Sequence, residues 1–381
     1  MHGNRPGTTY HLAMCPSPPH RGVLGLLSEA MGRETNRDTL IADLGRSDPQ
    51  DLVRIAVNSF VHVVLYKAFV TAPELAQAVP ADLVIYFNEM RHANLQRNRT
   101  IGAQLAEIGC IFSRAGLTGV ALKGGAELLA PLHPDPAFRF LSDLDILLPE
   151  AELEQAVALL HTCGAVSQPE DEINQRGHHH LEALWHPDWP VPVELHRGFG
   201  SAAAGRILSA ETVLHAARPS GRPGLAVPAP AHRLAHAVLH AQIDPPRYDQ
   251  RSLSPRDLVE AQVMTTRLSE AEISLAGDCF KAGGAWAAWE AFDATRVAMF
   301  DENARFETHT APARAWAMRA ISDFGRPGRR RRARLLRLAR WYARAILFEP
   351  ERRRHYLRQL RRRGGLRKAV FYQKDKFRRE P

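Results

Sequence analysis

The sequence predicts an α/β fold built on a mixed sheet, with helical regions N-terminal and C-terminal to this α/β core. In the first and last thirds of the chain, apolar residues recur at helical spacing. Between residues 118 and 196, short apolar or alternating runs separated by Gly and Pro are typical of strands. The chain has 381 residues, of which 45% are hydrophobic. It is therefore long enough for about two or three domains with a sizeable core.

The N-terminal part is expected to be helical and mainly structural. Residues 1–48 are rich in Gly, Pro, His and Ser, which indicates a poorly ordered lead-in with one short helix near residues 22–31. Residues 49–90 form a predicted N-terminal helical region, and a long helix is predicted over residues 81–115. The helical spacing of the first region depends on Leu52, Ile55, Ala56, Phe60, Val63, Val64 and Ala68.

An α/β unit is predicted over residues 91–205. It contains a strand that ends at Gly124 and Gly125, a second strand that carries two aspartates, and two alternating runs joined by the turn sequence PDWP. We interpret the two alternating runs as an antiparallel hairpin. The predicted strand, helix, strand, helix and hairpin cover residues 118–122, 126–132, 140–149, 149–164 and 178–197.

The rest of the chain is predicted to be helical again. After a proline-rich linker, residues 228–325 contain helical segments that we interpret as a C-terminal helical domain. Residues 326–381 form a basic amphipathic tail, which holds 22 of the 50 Lys and Arg residues and 4 of the 41 Asp and Glu residues. The tail therefore has a net charge of +18, and the body before it has a net charge of −9.

Asp143 and Asp145 are the most informative pair of residues in the chain. They stand two apart in an apolar, strand-like run, and residues two apart in a strand project from the same face. Like charges held that close repel unless a cation lies between them, and Mg²⁺ prefers carboxylate and phosphate oxygens. The pair therefore predicts a metal site of the kind that phosphoryl transfer requires.

Other residues of the α/β unit fit phosphate chemistry. Lys123, Gly124 and Gly125 end a strand and open a helix, where backbone N–H groups favour an anion. Arg139 precedes the aspartate strand and is placed to reach a triphosphate. Glu194 lies in VPVELHR, a strand expected beside the aspartate strand. The structural alternatives are a lysine that only reaches solvent, an arginine paired with an aspartate, and a glutamate that faces outward.

The segment VALKGGAELLAPLHPDPAFRFLSDLDILLP, followed by VPVELHRGF, resembles the uncharacterised bacterial nucleotidyltransferase family of the polymerase-beta-type superfamily. The resemblance lies in a strand-end Lys-Gly, an Arg before an Asp-x-Asp strand, and a later acid-Leu-His strand. The later segments PAHRLAHAVLHAQ and RSLSPRDLVEAQ resemble the helical half of that family, where a His-bearing helix precedes an Asp-Leu helix. The resemblance covers roughly residues 81–300 and implies a polymerase-beta-like nucleotidyltransferase core.

The resemblance also implies a reaction. An acceptor hydroxyl attacks the α-phosphate of an NTP, and pyrophosphate leaves. Asp143 and Asp145 would bind two Mg²⁺ ions, and Glu194 would complete the second metal site and help to deprotonate the acceptor. The acceptor stays open between a small molecule, a peptide or protein side chain, and the 3′ end of RNA, because the fold does not choose among them.

The same resemblance assigns the phosphate-binding residues. Gly124 and Gly125 would hold the β- and γ-phosphates, and Lys123 and Arg139 would neutralise charge. This chain has Gly-Gly where the superfamily usually has Gly-Ser, and the gap from this turn to the aspartates is longer. The departure leaves open a catalytically inactive, nucleotidyltransferase-like adaptor, although the intact carboxylate trio argues against it. A third possibility is phosphotransfer with a different leaving pattern on the same scaffold.

The histidines are interpreted mainly as solvated, substrate-side or packing residues. His196 is the candidate accessory residue, because it lies two residues from Glu194 on the same strand face. His236 and His240 are four apart on a predicted helix, and we interpret them as packing residues because no nearby carboxylate completes a metal-protease pattern. Adjacent strand residues alternate faces, which argues against a zinc site formed by His178, His179, His180 and His186.

The basic tail is the second candidate for function. Leu335, Leu338, Tyr342 and Ile346 lie near one face of a predicted helix, and arginines cover the rest of it. Such a helix suits an anionic membrane surface or the phosphates of a nucleic acid. It also suits docking on the acidic body of the protein itself. The adaptor alternative would act through residues 326–381.

The remaining features concern cellular location. The four cysteines are far apart and show no CxxC spacing, which indicates reduced thiols rather than disulfides or a zinc site. No run approaches the roughly 18 to 20 apolar residues that cross a bilayer, and the N-terminal sequence shows no signal pattern. We therefore expect a cytoplasmic protein, peripheral to the membrane if the tail binds lipid.

Overall fold

The computed structural model describes residues 16–167, 181–301 and 305–326. Over these ranges, helices precede, interrupt and follow a seven-stranded sheet. The strands are β1 (Gly119–Ala121), β2 (Leu144–Leu147), β3 (Val166–Ser167), β4 (Leu184–Trp185), β5 (Val193–His196), β6 (Arg218–Pro219) and β7 (Leu225–Val227). The helices are α1 (Pro18–Ala30), α2 (Arg37–Gly45), α3 (Pro49–Asn58), α4 (Tyr66–Thr71), α5 (Pro73–Gln77), α6 (Ala81–Arg114), α7 (Lys123–Leu129), α8 (Leu153–Thr162), α9 (Ala202–Ile207), α10 (Ala210–His215), α11 (Pro230–Gln242), α12 (Arg247–Gln250), α13 (Pro255–Thr265), α14 (Glu270–Ala282), α15 (Trp286–Phe300) and α16 (Ala311–Ser322).

The sheet is mixed, and its strand order is β3-β4-β5-β2-β1-β7-β6. β2 runs parallel to β5 and antiparallel to β1, while β1 runs parallel to β7. The predicted α/β architecture with a mixed sheet is therefore confirmed. The antiparallel pairing of β4 with β5 corresponds to the predicted hairpin.

Several predicted elements differ in extent. β2 begins at Leu144, so Asp143 lies just before the strand rather than within it. Helix α7 begins at Lys123, and its first turn contains the two glycines. The helix predicted through Phe60 ends at Asn58, because Phe60 has a backbone φ of 55° that stops helical propagation.

Helices α1 and α2 lie in the predicted lead-in, where α1 overlaps the short helix predicted near residues 22–31 and α2 is additional. Their apolar side chains are buried: Val23, Leu26 and Leu27 are each 0% exposed. The side chain of Asn36 caps α2 by accepting a hydrogen bond from the backbone N–H of Thr39 at 3.0 Å. Although this segment is rich in Gly and Pro, it contains short apolar runs, and these runs form helices because tertiary packing buries them.

Helix α6 follows the predicted long helix closely, and its polar residues position the strands of the sheet. Asn94 and Asn98 donate hydrogen bonds of 2.9 Å each to the carbonyl oxygen of Arg139, in the loop before β2. Gln104 donates a hydrogen bond of 2.9 Å to the carbonyl oxygen of Val191, just before β5. Buried amides therefore fix the approach to both site-bearing strands. None of the helices in the described ranges combines the length and apolar character needed to cross a membrane.

One hydrophobic cluster joins distant parts of the chain. It extends from Val23 in α1 through Val120 and Leu147 in the sheet to Phe324 after α16. A second cluster packs α6 and α8 against the sheet and includes Phe112 and other buried residues. The N-terminal helices, the sheet and the C-terminal helices therefore pack together through apolar contacts, so residues from all three parts can line one site. The division of the chain into separate domains stays a prediction.

Candidate active site

Three potential ligands converge where β2 and β5 lie side by side. Asp145 is the direct neighbour of Glu194 in the parallel register of the two strands. His196 follows Glu194 on the same face, and its Nε2 atom lies 2.8 Å from Asp145 Oδ1 and 3.6 Å from Glu194 Oε2. The three side chains offer ligand atoms within 4.8 Å of one another. The structure thus brings together Asp145, Glu194 and the accessory His196, as the strand spacing predicts.

Lys123 completes this group from the start of α7. Its Nζ atom lies 2.8 Å from Asp145 Oδ1. Although burial opposes the charge, Asp145 and then Asp143 raise the pKa of the Lys123 ammonium above its usual value. The lysine is therefore a charged partner of the carboxylates rather than a side chain that only reaches solvent.

The ionisable groups at the centre have shifted pKa values. Burial and the negative charge of Asp145 raise the pKa of Asp143. Burial also opposes ionisation of Asp145, but Lys123 and His196 hold the pKa of Asp145 well below its usual value. For His196, burial is outweighed by hydrogen bonds to Asp145 and Glu194, which raise its pKa to about 9. At neutral pH, Asp145 is therefore ionised and His196 is a cation.

Asp143 lies beside a cavity of about 210 Å³. Its Oδ2 atom accepts a hydrogen bond of 3.1 Å from the Ser142 hydroxyl. Among the described residues, Asp143 does not belong to the group of ligands within 4.8 Å of one another. The cavity is lined by Lys123, Gly124, Arg139, Phe140, Leu141, Ser142, Asp143, His240 and Arg256. Asp143 is therefore the one acidic residue in a lining whose cationic residues are Lys123, Arg139 and Arg256. Such a lining favours a ligand with negative charge.

Arg139 lines this cavity, but its ion-pair partner comes from the C-terminal half of the chain. The guanidinium pairs with the carboxylate of Glu260 in α13, and both side chains are buried. The alternative of an ion pair with an aspartate therefore does not describe this arginine. Burial and the nearby charge of Arg256 lower the pKa of Arg139 to about 10, so it remains a cation at neutral pH.

The two glycines have a packing reason as well as the predicted phosphate role. A Cβ atom at Gly124 would lie 2.5 Å from Leu141 Cγ, and one at Gly125 would lie 3.3 Å from the Cβ of Ala121. The glycines allow α7 to approach both β1 and the segment before β2. This close approach holds Lys123 beside Asp145. The contact of these glycines with phosphates stays a prediction.

Sequence reasoning missed the residues of α11 and α13 that form part of the cavity wall. His240, interpreted as a packing residue, lines the cavity, and its Nδ1 atom lies 3.3 Å from Asp257 Oδ2. Arg256 lines the cavity from the first turn of α13. The helical spacing of PAHRLAHAVLHAQ and SPRDLVEAQ predicts two helices, but it does not indicate that these helices contribute residues to a cavity beside the sheet.

A buried ion pair joins α11 to α7. Arg233 Nη2 donates to Glu127 Oε2 at 2.7 Å, and both side chains are buried. His236, one turn before His240, packs on Phe199 with ring centroids 4.7 Å apart, in agreement with a packing role. His178, His179 and His180 lie outside the described residues.

Comparison with known proteins identifies the family. The family model described as "Uncharacterised nucleotidyltransferase" matches residues 45–273, a range that contains every candidate residue of the α/β unit. The chain therefore belongs to this nucleotidyltransferase family, which at a coarse level makes it a transferase with an NTP substrate. A search of curated proteins and a search of solved structures find no match.

Proposed function

We propose that this protein is a Mg²⁺-dependent nucleotidyltransferase of the polymerase-beta type. It moves an NMP group from an NTP to an acceptor hydroxyl and releases pyrophosphate. The observation that carries the proposal is the side-by-side placement of Asp145 and Glu194 on parallel strands. Asp143, two residues before Asp145, lines a cavity that also contains cationic side chains. Adjacent carboxylates and a cationic phosphate pocket are the two parts that nucleotidyl transfer needs.

The donor groups fit Mg²⁺. Asp143, Asp145 and Glu194 offer carboxylate oxygens, which are the hard ligands that Mg²⁺ prefers. Asp145 is held in its ionised form, and its charge is balanced by the cations Lys123 and His196. The neighbouring carboxylates need a countercharge, which Lys123 and His196 supply in this structure and which Mg²⁺ would supply when bound. When bound, Mg²⁺ supplies charge stabilisation at the phosphoryl oxygens.

The residues of the chain then have distinct roles in this proposal. Lys123 and Arg139 bind and orient the triphosphate through charge-assisted hydrogen bonds. Glu194, whose side chain is 24% exposed, accepts the proton of the acceptor hydroxyl. The bond between the acceptor oxygen and the α-phosphorus forms as the bond to the bridging oxygen of the β-phosphate breaks. Pyrophosphate is the leaving group.

A screen of the four NTPs for Mg²⁺-dependent release of pyrophosphate tests the proposal. Candidate small molecules, peptides and RNA would be supplied as acceptors. We expect release by the wild type and a loss of at least about 100-fold in Asp143→Ala/Asp145→Ala. Asp188→Ala is the matched control, because that side chain is 89% exposed. A wild-type protein that neither binds an NTP with Mg²⁺ nor releases pyrophosphate would defeat the enzyme proposal.

The basic tail supports a separate prediction about partners. Residues 327–381 lie outside the described residues, so the binding of the tail to a membrane, a nucleic acid or the protein itself stays a prediction. Truncation after Arg326 should abolish binding to anionic vesicles or to RNA if either is the partner. Unchanged binding to both after truncation would contradict the two external-partner hypotheses and the adaptor alternative.

A further inference from the structure

Two phenylalanines from distant parts of the chain lie together beside the cavity. Phe140 lines the cavity, and the ring centroid of Phe60 lies 6.0 Å from that of Phe140. Each ring is covered by a guanidinium group. The Cζ atom of Arg97 lies 4.7 Å from the Phe140 centroid, and that of Arg256 lies 5.2 Å from the Phe60 centroid. The two neighbouring rings therefore lie between two guanidinium groups beside the cavity.

Phe60 occupies a backbone position that normally belongs to glycine. The N–H of Phe60 donates to the carbonyl of Val57, and the N–H of Val61 donates to the carbonyl of Ala56, each at 3.0 Å. These two bonds form the Schellman motif that ends α3, with Phe60 at the left-handed residue. Its φ is 55°, a region that strains residues with a Cβ atom and suits glycine. A phenylalanine here, 36% exposed, is not explained by helix termination or by burial.

The Arg256 guanidinium lies over the Phe60 ring and also pairs with a carboxylate. Its Nε atom lies 3.3 Å from Asp257 Oδ1, and its side chain is 21% exposed. Arg256 also lines the cavity, so its planar guanidinium is a candidate contact for a ligand there. The cavity lining therefore has two kinds of chemistry. Lys123, Ser142 and Asp143 are suited to phosphates and metal, whereas Phe140 and Arg256 are suited to a planar ring.

We propose that Phe140 and Arg256 stack on the nucleobase of the NTP, and that Phe60 is a positioning residue that holds the Arg256 guanidinium flat. The inference depends on the proposed nucleotidyl transfer, and it assigns the base subsite of the same cavity. Guanidinium groups that bind only phosphate oxygens need no aromatic support, because charge and hydrogen bonds suffice. Stacking on π-faces also accepts any base, so this subsite takes purines and pyrimidines alike.

Calorimetric titration with two ligands separates base binding from phosphate binding. One ligand is inorganic tripolyphosphate, and the other is an NTP analogue with a methylene bridge between the α- and β-phosphates, both with Mg²⁺. For Phe140→Leu, we expect the Kd of the NTP analogue to rise about tenfold, since base–aromatic stacking is worth that much or more. The Kd of tripolyphosphate should not change. Adenosine and cytidine analogues should lose affinity by similar factors.

Phe60→Gly tests the positioning role without threatening the fold. Glycine is the preferred residue at this position of a Schellman motif, so relief of the left-handed strain should offset much of the lost ring packing and the unfolding temperature should change little. The Kd of the NTP analogue should nevertheless rise about two- to fivefold, while the Kd of tripolyphosphate stays constant. A purely structural role of Phe60 would not produce this difference between the two ligands.

Trp286→Leu is the matched control. Trp286 is an exposed aromatic residue, 40% exposed, whose ring carries the ammonium of Lys281 at 4.8 Å, and it does not line the cavity. Its substitution should leave both affinities unchanged. Unchanged affinity for the NTP analogue in Phe140→Leu, or equal losses for both ligands, would overturn the base-subsite proposal alone. A wild-type protein that binds neither ligand would overturn the proposed function as well.

Discussion

Lys123 and Asp145 form an ion pair of 2.8 Å at the point where α7 meets the sheet. Asp145 is 1% exposed, and the carboxylate oxygen that meets Lys123 also lies 2.8 Å from His196 Nε2. The buried Asp145 carboxylate is therefore neutralised by two neighbouring cations, Lys123 and His196. Because a buried charge is costly without a partner, each of these residues contributes to the stability of the fold as well as to the proposed chemistry.

Lys123→Met should destabilise the protein substantially. The substitution leaves the buried Asp145 carboxylate with His196 as its remaining cationic contact, and breaking a buried pair costs about 3 kcal/mol or more. Lys281→Met is the control, because Lys281 pairs with Asp278 at 2.9 Å on the exposed surface. Such surface pairs are worth less than about 1 kcal/mol. Urea unfolding of both variants measures the difference, and equal losses would contradict a buried ion pair.

His196 should make the stability fall at alkaline pH. Its pKa rises from an ordinary 6.5 in the unfolded chain to about 9 in the folded protein, so the folded state binds the proton more tightly. The stabilisation is complete below pH 6.5 and is lost as the pH rises through about 9. We expect a loss on the order of 3 kcal/mol in metal-free buffer.

His196→Gln should flatten this pH profile. Unfolding free energies of wild type and variant would be compared from pH 6 to pH 10 in the presence of EDTA. His92→Gln is the control, because that side chain is 53% exposed and should leave the profile intact. A wild-type profile as flat as that of His196→Gln would disprove the coupling of His196 to Asp145.

Gly124→Ala and Gly125→Ala should differ in their effect on stability. The new Cβ atom at Gly124 would collide with Leu141 at 2.5 Å, and such overpacking costs about 1 to 3 kcal/mol. At Gly125 the new contact, 3.3 Å to the Cβ of Ala121, needs a shift of a few tenths of an ångström, so the loss should be smaller. Thermal unfolding of the two variants tests this order. The reverse order would contradict the packing of α7 against Leu141.

Glu260→Gln should destabilise the protein because it removes the counterion of a buried arginine. Arg139 and Glu260 are 8% and 9% exposed, and breaking such a pair costs about 3 kcal/mol. The double variant Arg139→Met/Glu260→Leu replaces the pair by apolar side chains and should recover most of the stability. If Arg139 also binds phosphate, the recovered double variant will still bind tripolyphosphate more weakly than the wild type. Full affinity in that variant would limit Arg139 to a structural role.

Strand alternation was sufficient to predict that Asp145, Glu194 and His196 lie together, but the prediction that Asp143 lies within the same strand was wrong. The two-residue alternation of strands places Glu194 and His196 on one face, and the expected neighbourhood of the aspartate strand follows from the order of elements. The register that sets Asp145 opposite Glu194 agrees with this reasoning. The long helix α6 was also predictable, because its apolar spacing is sustained over many turns.

The walls of the site were not predictable from local patterns. Glu260 pairs with Arg139 across more than a hundred residues of sequence. Hydrophobic periodicity indicates which face of a helix is buried, but it does not indicate which strand that face contacts. Phe60 was assigned to a helix by its apolar spacing, yet its function in the inferred base subsite arises from the left-handed turn. Composition also gives no indication of α2, since its folding depends on apolar partners elsewhere in the chain.

The long-range pair of Arg139 and Glu260 has a consequence for synthesis. A ribosome releases the chain from the N-terminus, so the aspartate strand and its neighbour β5 emerge well before α13. Until α13 has been synthesised, Arg139 lacks the Glu260 carboxylate that neutralises its charge in the protein interior. Strands β2 and β5 can thus pair early, while the cavity beside them is completed only after most of the chain has been translated.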